Sequence, residues 1–108
     1  MQAVLTNNVN VQSEYNLDQT LERLFGDVDT ADNMTKNAIE NDIVKFGASA
    51  VDFLVNKVRT AKGAQRGVAA MSLIRIGEDS IKPLKDVAIK DMSFQWIANY
   101  LIREISGR

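Results

Sequence analysis

Gly47, Gly77 and Gly107 stand thirty residues apart, and this spacing constrains the chain more than any other feature. A period in the range of roughly 20–50 residues marks a chain built from stacked copies of one small unit. Reading backwards from the first two glycines, Ile43-Val44-Lys45-Phe46 parallels Leu73-Ile74-Arg75-Ile76. Reading forwards, Val51 matches Ile81, Leu54 matches Leu84 and Val58 matches Ala88. The same shift toward the N-terminus sets Leu21, Leu24, Phe25 and Val28 opposite Val51, Leu54, Val55 and Val58. The last unit slips by one residue, so that Ala69, Leu73 and Ile76 align with Ala98, Ile102 and Ile105. Three units result, at about 14–47, 48–77 and 78–107, in a single domain over 14–108. Residues 1–13 form a polar, Asn-rich extension with little expected order; Val9-Asn10-Val11-Gln12 is its only strand-like alternation.

Each unit reads as two helices. Val51, Leu54, Val55 and Val58 fall at i, i+3, i+4 and i+7, one helical face. Ala69, Leu73 and Ile76 make a similar stripe on the next helix. The predicted helices cover 14–25, 33–46, 49–61, 64–76, 80–90 and 94–105. Ser49 with Asp52 resembles a capping pair, and Asp79 or Ser80 is placed to cap the equivalent later helix. Pro83 then falls in a first turn, where it removes little hydrogen bonding. Gly47 and Gly77 suit the position just past a helix, where positive φ is cheap for glycine, and Gly63 breaks the middle pair. One amphipathic pair cannot bury its own face, but three stacked pairs share a core. The expected fold is therefore an all-α solenoid of about three helical hairpins.

The run Arg66-x-x-Ala69-Ala70-x-Ser72-Leu73-x-x-Ile76-Gly77-Glu78-Asp79-x-Ile81-x-Pro83-Leu84 resembles the HEAT-like repeat of the phycobilisome-lyase type. The likeness is best over 66–91 and extends to 36–62; over 95–106, Gln95 stands in place of the Arg and Ser106 in place of the Gly. Ile74 occupies a position that is commonly Gly in that family. The resemblance implies a right-handed α-α superhelix that binds partners, with Arg66 in a polar contact between repeats. Some members of the family are bilin-lyase subunits or DNA-lesion enzymes, and no residue here selects those activities.

The chain has no histidine and no cysteine. Disulfides, thiolate or imidazole zinc sites, Cys nucleophiles and Ser-His relays are thereby excluded. Asp27-x-Asp29-x-x-Asp32 is the densest acidic stretch, but Ala31 and Ala38 occupy positions where a calcium loop needs oxygen ligands. It reads as a loop that caps the helix from 33. Glu78 and Asp79 read as turn chemistry, and Tyr15 and Tyr100 lack a basic partner. No lysine sits on an apolar stripe, no Gly-rich phosphate loop is present, and no metal or cofactor is expected. The sequon Asn33-Met34-Thr35 reads as a chance match.

Two surfaces remain. Lys57, Arg59, Lys62 and Arg66 form the strongest basic cluster, an alternative site for nucleic acid, though without interleaved aromatics. The second helices of a solenoid line its concave face. Setting aside their core positions leaves Asn37, Asn41 and Val44, then Gly67, Met71 and Ile74, then Trp96, Tyr100 and Arg103. Met71, Ile74, Arg75, Trp96, Tyr100 and Arg103 are the expected partner-binding residues, being of types enriched where proteins meet. Trp96 and Tyr100 equally suit a cover for the open end of the array.

The formal charge of −1 conceals an asymmetry: residues 1–42 hold eight acids and two bases, residues 43–108 six acids and eleven bases. Pairing of copies through opposite ends, or through the apolar C-terminal end, is one expectation drawn from it. No apolar run reaches the length of a membrane span, and Met1–Asn8 lacks the basic and apolar regions of a signal peptide, which points to the cytoplasm. The expected function is a non-catalytic scaffold or adaptor that binds another protein. The alternatives are an accessory or lyase-type subunit acting on a prosthetic group, and nucleic-acid binding through 57–66.

Overall fold

The computed structural model describes residues 16–107. The 1–13 extension and Tyr15 lie outside the described residues. Among those described, six α-helices follow one another: α1 (16–26), α2 (Asn33–Val44), α3 (Val51–Thr60), α4 (Gly63–Ile76), α5 (Ile81–Lys90) and α6 (Gln95–Ser106). Every described boundary falls within two residues of its expected place. The reason is the 3.6-residue period. In α3, Val51, Leu54, Val55 and Val58 are all buried, as the spacing requires. In α6 the buried stripe is Ala98, Leu101 and Ile105, and the expected Ile102 lies only partly buried at its edge. Among the described residues no helix is long and apolar enough to cross a membrane.

The helices pack mostly against their neighbours in sequence. α3 lies on α4 and α5 on α6. α4 also meets α2 on one side and α6 on the other, while α3 meets α5. Two rows result, with α2, α4 and α6 in one and α3 and α5 in the other. Leu21 and Phe25 bring α1 into the same core, where the Phe25 ring lies 5.8 Å from that of Phe53. Residues thirty apart share burial: Ile43 and Leu73, Ala50 and Ser80, and Leu54 and Leu84 are each fully enclosed.

The turns explain where the helices begin. Gly47 and Gly77 have φ of +58° and +88°, conformations an L side chain rarely adopts. A single 3₁₀ turn follows each, Gly47–Ala50 and Glu78–Ser80, and runs directly into the next helix. Gly107 lacks this geometry, with φ of −84°. The 3₁₀ turns also correct the expected caps. A capping side chain needs an extended backbone at its own residue, but Ala50 and Ser80 are already in right-handed helical conformation. Neither Ser49–Asp52 nor Asp79 forms a cap, and the Ser80 hydroxyl instead donates to the Leu73 carbonyl at 2.9 Å inside the core. Asp32, in contrast, is extended, and its Oδ1 accepts from the Thr35 N–H at 2.8 Å to cap α2.

Candidate partner-binding face

The row of α2, α4 and α6 presents two grooves that share α4 as a wall. Between α2 and α4 lies a polar groove of about 480 Å³, with Lys36, Asn37 and Glu40 facing Gly67, Val68 and Met71. Between α4 and α6 lies a mainly apolar groove of about 370 Å³, lined by Gly63, Arg66, Gly67 and Ala70 on one side and Trp96, Ile97, Tyr100 and Leu101 on the other. Gly63, Gly67 and Ala70 recur at i, i+4 and i+7, so α4 offers this groove its smallest side chains. Trp96 and Tyr100 stand opposite on α6, 71% and 52% exposed. Large aromatic surface left in water beside an apolar channel is the usual mark of a contact surface.

The expected partner-binding residues divide. Trp96 and Tyr100 line the apolar groove and Met71 the polar one, and Arg103 is exposed on α6. Ile74 does not belong to the surface. It is 8% exposed, on a helix that packs against α2, α3 and α6. Arg75 is directed toward α2, where its Nη1 donates to Glu40 at 2.8 Å and to Asn41 at 2.9 Å. The residues that sequence reasoning passed over are Gly63, Ala70, Ile97 and Leu101; the small-residue spacing on α4 is the signal that could have found the first two.

The members of the basic cluster have different partners. Lys57 runs beneath the aromatic pair, with Nζ 5.4 Å from the Phe25 ring centre and 5.6 Å from that of Phe53. Its side chain is only 17% exposed and pairs with Glu22 at 3.3 Å. Its long stem is buried along apolar surface while the ammonium keeps a charged partner. Arg59 bonds Asp91 through Nε and Nη2 at 3.3 and 3.1 Å. The Ser93 hydroxyl, and after it Arg59, hold the Asp91 carboxyl below its ordinary value, against a smaller opposing effect of burial. Arg66 donates from Nε to the Val58 carbonyl at 2.9 Å. This joins α3 to α4 within one hairpin, where the resemblance implied a contact between repeats. Lys62 is exposed.

The acidic stretch is likewise dispersed. Asp32 caps α2, and the Thr35 N–H, followed by the Thr35 hydroxyl, draws its carboxyl below the ordinary value. Asp29 accepts from Gln65 Nε2 at 3.1 Å. Glu78 and Asp79 are exposed in the 3₁₀ turn before α5. Among the described residues no group of three or more acids, histidines or cysteines is placed to hold a metal. No protein-family model, curated protein or solved structure matches the chain.

Proposed function

We propose that this protein is a non-catalytic interaction module, a short right-handed solenoid of three helical hairpins whose α2, α4 and α6 face binds another protein. The observation that carries the reading is the apolar α4–α6 groove with Trp96 and Tyr100 exposed on its wall. The solenoid reading, and with it the HEAT-like likeness, is supported by the two rows of helices, by the paired burial thirty residues apart, and by the like turns at Gly47 and Gly77. The absence of histidine and cysteine favours binding over catalysis, and the absence of cysteine agrees with a cytoplasmic setting, where disulfides are rare. Nucleic acid fits less well, because Lys57 and Arg59 spend their charge on Glu22 and Asp91.

Trp96→Ala combined with Tyr100→Ala tests the reading. Partners captured by the intact protein and identified by mass spectrometry are lost with the double variant, while far-ultraviolet circular dichroism is unchanged. Capture that survives the double substitution moves the binding surface elsewhere, and lost helicity makes the two rings a cover for the fold.

A further inference from the structure

Among the described residues, Arg66 is the one charged residue lining the α4–α6 groove. The Val58 carbonyl accepts from its Nε and so fixes the plane of the guanidinium. Its two Nη groups meet no hydrogen-bond or ion-pair partner among the described residues. The nearby cations have the same character: Lys62, one residue before α4, and Arg103, one turn past Tyr100, are exposed and unpaired among the described residues. Among the described residues no carboxylate lines the groove; Lys62, Arg103 and Glu104 all stand outside its lining. Among the described residues the groove is therefore mainly apolar along its walls and carries one cation, Arg66. A guanidinium held by one edge presents a planar pair of donors, which fits the two oxygens of a carboxylate. Beside apolar walls such a pair is stronger than in open water.

We propose that this groove takes a short acidic segment of another protein. An Asp or Glu carboxylate of that segment seats on the Nη edge of Arg66, and a neighbouring apolar side chain lies over Gly67 between Trp96 and Tyr100. The proposal rests on the reading of this face as a protein-binding surface and specifies its partner's chemistry. At Gly67 the groove is open, since a Cβ built there would meet nothing among the described residues within 4 Å.

Trp96 is the only tryptophan in the chain, so its emission reports on this groove alone. The wild-type protein is titrated with three pools of short peptides of one degenerate design. Leu and Phe alternate with Asp and Glu in the first pool, with Asn and Gln in the second, and with Lys and Arg in the third. The acidic pool shifts Trp96 emission to the blue, at a concentration about tenfold below that needed with the amide pool. Arg66→Gln removes that preference, and unchanged circular dichroism shows that the variant folds; the wild-type comparison stands without it. An amide pool that matches the acidic pool overturns the carboxylate site while leaving the groove a peptide-binding surface. A shift with the basic pool overturns it in the same way. If no pool shifts the emission the proposal falls, and the partner-capture experiment then judges the broader reading by itself. A blue shift on concentrating the protein alone assigns the groove to a second copy, and one produced by oligothymidylate assigns it to nucleic acid; either overturns the proposal.

Discussion

Ser72 is fully buried on α4, and its hydroxyl finds no hydrogen-bond partner among the described residues. A buried polar group left unsatisfied opposes folding, and alanine is also the better helix former. Ser72→Ala therefore stabilises the protein by about 1 kcal/mol, read as a higher urea midpoint with unchanged slope. A lower midpoint would show that the hydroxyl holds something in place. Ser80 differs, because its hydroxyl is satisfied by Leu73. Its counterpart thirty residues earlier, Ala50, fills the same kind of enclosed position without a hydroxyl. The side chains that mislead from sequence are the long ones. Lys57 reads as part of a basic surface because its neighbours in sequence are basic, yet its surroundings in space are Phe25, Phe53 and Glu22. Nothing local in the chain records a pairing across thirty-five residues.

At the scale of single helices, the apolar period determines where each one lies, and this is why their spans are legible in the sequence. Their first turns are less so. The capping signal at Asp32 is realised because its backbone is extended, whereas Ser49 and Asp79 are overruled by 3₁₀ turns whose geometry leaves no room for a cap. The Asp32 cap carries a pH dependence. Its folded carboxyl titrates below the ordinary 3.8, so its contribution is present above that value and disappears as pH falls through the lowered one. Asp32→Asn keeps an acceptor but no charge. The stability gap between wild type and Asp32→Asn, measured by thermal melts, is expected to be constant near neutral pH and to close as the solution is acidified below about 4. Gly67 makes a second prediction at this scale. A glycine inside α4 weakens the helix by about 1 kcal/mol relative to alanine, and a Cβ there meets no obstacle. Gly67→Ala should raise the melting temperature and at the same time weaken partner capture. A lower melting temperature would mean that the bare backbone serves the fold itself.

For the whole molecule, packing mainly between successive helices makes stability local. α4 packs against α2, α3 and α6, whereas α6 packs, among the described helices, mainly against α5 and α4. Amide hydrogens of α3 and α4 should exchange slowest, and those of α6 measurably faster, when protection is followed by mass spectrometry. Uniform protection across the helices would indicate one cooperative unit instead. The proposed binding face is less legible than the fold that carries it. Ile74 lies in the same helical register as the exposed Gly67 and Met71, and its burial depends on packing that the local sequence does not record.

The uneven distribution of charge along the chain has a use inside the molecule. Lys57 reaches Glu22, Gln65 reaches Asp29 and Arg75 reaches Glu40, all from the middle hairpin back to the first; Arg59 reaches forward to Asp91, at the turn between α5 and α6. The middle hairpin is thus the donor on both of its sides, and its neighbours are the acceptors. Each exposed pair adds little to stability. Their shared direction favours the order in which the segments stand: exchanged, Lys57, Arg59 and Arg75 would lose the carboxylates that meet them here.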